Sequence, residues 1–342
     1  MSAASKIIRA FSFPRAGLIG NPSDGFHGKT IAFIIRNFQA EVTLWESPDL
    51  VIEPNQRDHT TFSSITKLVE NIDAFGYYGG VRLLQASVRR FHDYCQQNGI
   101  PMHSGNFTIR YQSNIPTHVG LAGSSAIITA CFNALMPFYG ISIPPPILAN
   151  LTLSVETEEL RIPAGLQDRV IQAYEGLVFM DFTQGYFEQK GYGSYEEIHV
   201  SSLPSLYIAY RTTLSEGTEI FHNDIRSRFN RQEPKIMAAL TEWADLAQQT
   251  RDLLVAGKGN QIGPLLDRNF DLRRKTYQLS SGNLAMVEAA RAAGASAKFT
   301  GSGGAIVGTY DGEEMFSKLK DSLELQGCRV FKPQIAPDSS CT

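Results

Sequence analysis

The segment PTHVGLAGSSA, residues 116–126, combines residue types that could bind a phosphate group. A strand-like stretch precedes it, and Gly120 and Gly123 would let the backbone approach an anion closely. Ser124 could cap a following helix, whose positive end would face the same anion. An ordinary serine cap after a flexible loop explains this spacing about equally well, so the segment needs further signals to indicate a phosphate site.

Two downstream carboxylates supply such a signal. Glu156 is expected near the end of a helix, and Asp168 follows 12 residues later, beyond a Pro-Ala-Gly turn. Phosphoryl transfer needs charge neutralisation and a positioned nucleophile, so one carboxylate could hold Mg²⁺ while the other accepts a hydroxyl proton. Alone, such carboxylates are more often solvated surface groups or helix caps. Together with the glycine-rich segment they favour phosphoryl-transfer chemistry.

Two other glycine-rich segments do not fit known phosphate loops. The tripeptide at residues 28–30 resembles the end of a Walker A loop, but Ser23 stands where a glycine is required, and the following IAFII favours a strand over a helix. GSGGAIVG, residues 301–308, lacks the third glycine of a dinucleotide fingerprint and also continues into a strand-like segment. These patterns argue against a P-loop and a Rossmann site.

The elements that must position these residues are predicted from periodicity and turn residues. Residues 7–53 are strand-like, with IAFII and AEVTLW separated by turn-forming Gly, Pro, Asn and Asp. Apolar residues at spacings of three and four predict a helix over residues 77–95. FTIRYQS predicts the strand before the glycine-rich segment, and apolar helices should begin at about Ser124 and, after PPP, reach about Glu159.

The composition turns polar around residues 191–204, which predicts a domain boundary. Beyond it, SLYIAYR predicts a strand, two short strands are expected around KFTGSGGAIVG, and helices are expected over residues 235–254, 283–293 and 313–325. At about 150 residues per domain, 342 residues indicate two domains with a cleft. The pattern is that of an α+β protein.

Composition and charge exclude several classes of protein. Lys and Arg number 31 against 34 Asp and Glu, so a nucleic-acid binder with a broad basic face is not expected. Hydrophobic residues make up 43% of the chain, which predicts a large buried core. The uncharged stretch 111–155 is interrupted by Thr129, Asn133 and Pro137, so we expect buried helix and no membrane span.

The four cysteines, Cys95, Cys131, Cys328 and Cys341, are scattered and show no CxxC spacing. Neither a disulfide framework nor a zinc site is therefore expected. No export signal is visible at the N-terminus. These features predict a reducing, cytoplasmic location, whereas no pattern distinguishes a monomer from a homodimer.

Three blocks in order resemble the GHMP small-molecule kinase family: RAGLIGNPSDGFHGKT, PTHVGLAGSSA and KFTGSGGAIVG. The resemblance covers essentially the whole chain. Within the family, NPSD, GKTI, GYYGGVRLL, GLAGSSAI, AGLQDRV, NFDLRR and KFTGSGGA are most similar to the plant-type branch that acts on D-glucuronate. The resemblance implies an N-terminal phosphate-loop domain over residues 1–200 and a ferredoxin-like C-terminal domain over residues 201–342, with ATP and sugar in the cleft.

The resemblance also implies roles for the matching residues. Asp168 would be the catalytic base, and Arg15 would lower the pKa of the reacting hydroxyl and offset charge on the transferred phosphoryl group. Mg²⁺ would be held by Glu156 with Ser125 or Ser124, because the loop has one residue more than galactokinase and mevalonate kinase loops. The ATP-binding residues would be Gly120, Leu121, Ala122, Gly123, Ser124, Ser125, Ala126, Gly301, Gly303 and Gly304.

The substrate implied is a sugar acid, D-glucuronate, phosphorylated at its anomeric hydroxyl. Asn21 stands where galactokinases carry an acid, which would repel a C6 carboxylate by about 4 kcal/mol at ~4 Å and an effective dielectric of 20. Arg82 or Arg169 could bind that carboxylate, and Asp24 could accept sugar hydroxyls. A family kinase for galactose, fucose, a heptose or galacturonate, and a non-catalytic sugar and nucleotide sensor, stay open as alternatives.

Overall fold

The computed structural model describes residues 7–55, 58, 62–75, 79–212 and 219–336, without the side chains of residues 71–75 and 219–224. Tyr77, at the start of the helix predicted over residues 77–95, lies outside the described residues, as does Cys341. All structural statements below concern the described part of the chain.

The strands and helices alternate irregularly along the chain. The strands are β1 (Ile8–Ser12), β2 (Arg15–Ile19), β3 (Lys29–Ile34), β4 (Ala40–Ser47), β5 (Val51–Glu53), β6 (Asn106–Ser113), β7 (Leu177–Asp181), β8 (Ser194–Glu197), β9 (Leu206–Arg211), β10 (Lys298–Phe299), β11 (Ala305–Thr309) and β12 (Cys328–Phe331). The helices are α1 (Ile65–Phe75), α2 (Gly80–Gln97), α3 (Gly123–Tyr139), α4 (Pro145–Ser154), α5 (Leu166–Tyr174), α6 (Gln184–Lys190), α7 (Glu219–Asn230), α8 (Pro234–Val255), α9 (Gly263–Thr276), α10 (Ser281–Ala292) and α11 (Gly312–Glu324).

The chain divides into two compact units that alternate in sequence. The first unit comprises residues up to 14, 38–117 and 122–173, and the second comprises residues 15–37, 118–121 and 174 onward. The glycine-rich segment therefore passes from the second unit into the first between Leu121 and Ala122. The boundary expected between residues 200 and 201 stays a prediction.

The first unit is built on one four-stranded sheet of order β1-β4-β6-β5, in which β5 alone among these strands pairs in parallel. Helix α3 packs against β1 and β4, and α2 packs against α3. Leu84, Phe91 and Cys95 lie on the buried face of α2, as the spacing of three and four predicts. This arrangement buries α3, so the uncharged stretch forms core helix as expected.

The second unit contains two antiparallel four-stranded sheets, of order β2-β3-β7-β8 and β10-β11-β9-β12. The Gly17 amide in β2 donates to the Thr300 carbonyl, which follows β10, at 2.7 Å. Helix α8 packs against β2 and β3, whereas α9 packs against β2, β10 and β11. Segment 301–304 lies between β10 and β11, so these two strands determine its position.

The α+β class predicted from the sequence is confirmed. The strand-like opening, the strand before the glycine-rich segment and the helices ending near residues 254, 293 and 325 are also confirmed, with bounds that differ by at most two residues. Among the described residues no helix is long and apolar enough to cross a membrane. Cys95, Cys131 and Cys328 are buried free thiols.

Candidate active site

Helix α3 begins directly after the glycine-rich segment. Its N-cap residue, Ala122, is left-handed (φ 61°, ψ 46°), and no side chain caps the helix among the described residues. The predicted cap was wrong: Ser124 lies exposed within the first turn, because the helix begins one residue earlier, at Gly123. The first amides of α3 therefore keep the donors and the positive helix end that suit a phosphate oxygen.

Ser125 is buried in the same turn, and its hydroxyl donates to the Ala122 carbonyl at 3.1 Å. The Gln172 amide on α5 donates to the same carbonyl at 3.0 Å and to the Phe13 carbonyl at 3.1 Å. Gln172 was not predicted from the sequence, although it follows Asp168 by four residues and hence lies on the same helix face. Gln172 thus ties the helix that carries Asp168 to the start of α3.

Glu156, Asp168 and Arg169 form an ionic cluster in the first unit, in which Glu156 and Arg169 are buried and Asp168 is half-buried. Glu156 lies in a single π-helical turn, Val155–Glu159, that continues α4, and the other two lie in the first turns of α5. Arg169 Nε donates to Glu156 Oε2 at 2.7 Å, and Arg169 Nη2 donates to the same oxygen. Arg169 Nη1 donates to Asp168 Oδ2 at 3.0 Å. The structure therefore brings together the predicted metal ligand, the predicted base and one predicted substrate residue.

Arg82, the other arginine proposed to bind a carboxylate, lies exposed in the first turn of α2. A guanidinium at the N-terminal end of a helix adds to the positive potential of the helix dipole. The position is compatible with anion binding, and its role stays a prediction.

In the second unit, Arg15, in the block RAGLIGNPSDGFHGKT, hydrogen-bonds both the glycine-rich segment 116–126 and the block KFTGSGGAIVG. It is buried at the start of β2 and donates from Nη1 to the Gly120 carbonyl at 2.6 Å and to the Thr300 carbonyl at 3.5 Å. A Cβ atom on Gly301 would lie 3.1 Å from the Arg15 guanidinium nitrogens. The backbone amide of Arg15 also donates to the Leu121 carbonyl at 3.2 Å.

The backbone of segment 301–304 lies close to the backbone of the glycine-rich segment 116–126. A Cβ atom on Gly120, whose φ is +70°, would lie 2.7 Å from the Gly303 carbonyl oxygen, and one on Gly304 would lie 3.1 Å from Val119 Cα. Glycine is required here by both conformation and space. The Asn283 side chain accepts a hydrogen bond from the Gly304 amide at 3.1 Å and adds a further support.

Arg273 fixes the same segment from α9. It is buried, and it donates to the Gly301 carbonyl at 2.8 Å and to the Ser302 carbonyl at 3.1 Å. Burial lowers the pKa of this guanidinium from its ordinary value, while nearby Tyr277 and Asp24 oppose that shift. The motif NFDLRR contains Arg273, but only the fold shows which backbone it binds.

Asn21 and Asp24, the predicted sugar-binding residues, lie after β2. Asn21 is buried, and its amide donates to the Gly301 carbonyl at 3.5 Å. Its Oδ1 atom accepts no hydrogen bond from the described residues. A buried acceptor of this kind costs free energy unless a donor reaches it, so it suits a ligand hydroxyl. Asp24 is half-buried in the 3-10 turn Ser23–Phe26.

The residues fit the groups that phosphoryl transfer requires. Ser125 Oγ and the Glu156 carboxylate are hard oxygen donors, and Mg²⁺ in nucleotide sites takes one or two carboxylates beside phosphate oxygens. The described residues contain no cluster of three or more His, Cys, Asp or Glu that would hold a metal without a nucleotide. The uncapped start of α3 fits a nucleotide phosphate for the reasons given above.

Comparison with known sequences shows which family the chain resembles. Residues 82–176 match the family profile described as "GHMP kinases N terminal domain". The chain is 39% identical over 341 residues to Glucuronokinase 1 of Arabidopsis thaliana, which covers 98% of this chain and 94% of that protein. It is 44% identical over 334 residues to Probable glucuronokinase 2 of the same plant, which covers 95% of this chain and 91% of that protein.

Solved structures agree on the fold. The Lactococcus lactis galactokinase complexed with galactose aligns with a TM-score of 0.72 at 14% identity, covering 96% of this chain and 94% of that one. The Methanococcus jannaschii mevalonate kinase aligns with a TM-score of 0.70 at 19% identity, covering 98% and 100%. At such low identity these structures speak for the fold alone. The fold and the sequence relatives together establish that the chain belongs to the GHMP kinase family.

Proposed function

We propose that this protein is an ATP-dependent sugar 1-kinase that converts D-glucuronate to D-glucuronate 1-phosphate. The proposal rests on the 39–44% identity to the two Arabidopsis glucuronokinases over more than nine-tenths of each chain. The ionic cluster of Glu156, in the turn that continues α4, with Asp168 and Arg169, in α5, supports it chemically. A cytoplasmic location and dependence on Mg²⁺ belong to the same proposal.

The first unit contributes the groups that bind phosphate and move the proton. The amides of residues 123–125 would donate hydrogen bonds to phosphate oxygens of ATP. Ser125 and Glu156 would hold Mg²⁺, which when bound neutralises negative charge on the phosphates. Asp168 would accept the proton of the anomeric hydroxyl. The oxygen of that hydroxyl would bond to the γ-phosphorus of ATP while the bond between the γ-phosphorus and the bridging oxygen breaks and ADP leaves.

The residues of the second unit have the roles that the family resemblance implies, charge compensation and sugar selection. Arg15 carries a buried positive charge next to the Gly120 carbonyl and would offset charge that develops on the transferred phosphoryl group. Asn21 Oδ1, with no donor among the described residues, would accept a sugar hydroxyl. Asp24 would accept further hydroxyls. Arg82, in the first unit, is the candidate for binding the C6 carboxylate, since it can do so in a bidentate manner.

The test is a comparison of initial rates of ADP release with Mg-ATP and equal concentrations of D-glucuronate, D-galacturonate, D-galactose, L-fucose and mevalonate. We expect D-glucuronate to give the highest rate, with phosphorus NMR showing coupling of the new phosphate to the anomeric proton. A higher rate with a neutral sugar would overturn the assigned substrate and leave a kinase. ADP release with none of them would favour the sensor.

A further inference from the structure

The Arg169 guanidinium divides its hydrogen bonds between two carboxylates that have different proposed tasks. Its Nε and Nη2 atoms both donate to Glu156 Oε2. Its Nη1 atom donates to Asp168 Oδ2 at 3.0 Å and to the Gly165 carbonyl at 2.8 Å. The guanidinium is therefore held at both ends, by the turn that continues α4 and by the first turn of α5.

The pair is shielded from water, because the side chains of Arg169 and Glu156 are 5% and 3% exposed. Charges in such a place interact more strongly than charges in solvent. Arg169 stays protonated at any ordinary pH. A fixed positive charge thus lies directly on the carboxylate that would bind the metal.

A carboxylate oxygen offers about two lone pairs, and the two donors from Arg169 occupy those of Oε2. A divalent cation that ligates Glu156 must displace Arg169 from Oε2 or bind the second oxygen beside the guanidinium. The first route breaks a buried ion pair, and the second places two positive charges close together. Either route makes the cation bind more weakly than it would to Glu156 alone.

We propose that Arg169 is a positioning residue that competes with the nucleotide-associated divalent cation for Glu156, and so sets the metal affinity, while it orients Asp168. This inference rests on the proposed function, from which it takes the tasks of Glu156 and Asp168. It assigns Arg169 to carboxylates of the protein itself, and leaves the sugar carboxylate to Arg82. Weak metal binding would allow the cation to leave with ADP after each turnover.

The test measures Mn²⁺ binding in the presence of ADP by electron spin resonance, for the full-length protein and Arg169→Gln. The two carboxylates and the guanidinium carry a net charge of −1, and loss of the guanidinium in the variant makes it −2. We expect the dissociation constant for Mn²⁺ to fall by about tenfold or more. Damage to the site would weaken binding, so tighter binding is a result that a merely structural role does not produce.

Two further variants keep the test decisive. Arg169→Lys retains the charge but loses the planar fork, so it should fold even if Arg169→Gln does not, and should bind Mn²⁺ more tightly than the wild type but less so than Arg169→Gln. Arg90→Gln is the matched control, because Arg90 pairs with Glu158 and Glu159 in the same turn. Its Mn²⁺ affinity should equal that of the wild type.

The outcomes separate this inference from the proposed function. Unchanged or weaker Mn²⁺ binding in folded Arg169→Gln or Arg169→Lys, with binding by the wild type intact, would overturn the competition alone. Absence of ADP-dependent Mn²⁺ binding by the wild type would overturn the competition and the metal site of the proposed function together.

Discussion

At the scale of single residues, the site depends on which partner each charged group has. Asp168 is 17% exposed at its side chain, and one of its oxygens accepts from Arg169. Glu156 is almost fully buried against the same arginine. The Arg169 guanidinium donates twice to Glu156 Oε2 and also to Asp168 Oδ2, and the two carboxylate side chains differ in exposure. The more exposed one, Asp168, is better placed to exchange a proton with a ligand.

We expect Asp168→Asn to lower turnover by about two to four orders of magnitude, because an amide of the same shape cannot accept the hydroxyl proton. The ADP dissociation constant, measured by calorimetry, should stay nearly unchanged. Asp93→Asn, which alters a carboxylate that pairs with Arg89 on α2, is the control and should keep wild-type rates. Turnover retained in Asp168→Asn would rule out its role as base.

At the scale of elements, α3 is flanked by two glycines with positive φ that have different surroundings. Gly120 (φ +70°) precedes the helix and lies against the Gly303 carbonyl, whereas Gly140 (φ +67°) ends it and has open space around the position of a Cβ atom. A side chain would therefore strain the backbone at both positions, but it would contact a neighbouring backbone atom only at Gly120. Substitutions at the two glycines can therefore distinguish an effect on the stability of α3 from an effect on phosphate binding.

We expect Gly140→Ala to lose about 1–2 kcal/mol of unfolding free energy, because it places a side chain in the left-handed region. Gly120→Ala should lose more, because its Cβ would also lie 2.7 Å from the Gly303 carbonyl oxygen. Only Gly120→Ala should weaken ADP binding, by about tenfold or more, since its Cβ pushes the segment 301–304 away. Urea unfolding and ADP calorimetry on both variants provide the comparison. Equal ADP affinities would show that the backbone contact is irrelevant to the nucleotide.

At the scale of the whole molecule, stability depends on how the sheets of the second unit are joined. Lys298 is 1% exposed in β10, and its ammonium donates to the carbonyls of Gly17 and Phe299, each at 2.7 Å. Gly17 belongs to β2, so the lysine links the two sheets of that unit. Burial, with Arg273 and Arg15 nearby, holds the pKa of Lys298 well below its ordinary value of 10.5. The link is thus sensitive to pH.

Proton linkage determines whether the unfolding free energy rises or falls with pH. Between the folded pKa and 10.5 the unfolded lysine binds a proton that the folded one has released, so the unfolding free energy rises with pH in that interval. In Lys298→Met this contribution disappears, and we expect a smaller slope of unfolding free energy against pH below 10.5. Lys320→Met, at an exposed lysine of α11, should keep the wild-type slope. Identical slopes in all three proteins would contradict the burial effect.

The sequence alone determined the local features. A period of two marked β6 and a period of three to four marked α2, since side-chain burial on one face is a property of neighbouring residues. Residue type marked β4, which is rich in β-branched and aromatic residues, and α3, which is apolar. The short polar strand β8 and the four-residue β12 gave no such signal, because their pairing is set by distant strands. The residue types at 120, 156 and 168 pointed to phosphate, metal and base chemistry for the same local reason.

Only the tertiary structure decided which side chains meet. Arg169 binds Glu156 across 13 residues of sequence, and Arg273 binds the Gly301 carbonyl across 28. Neither spacing is a helical or strand repeat, so no pattern along the chain could indicate the contact. The sequence identified the charged groups. The fold determined their partners, because it places the Arg169 side chain of α5 within reach of Glu156 in the turn after α4, and the Arg273 side chain of α9 within reach of segment 301–304. A buried charge binds the donors and acceptors that lie within its reach.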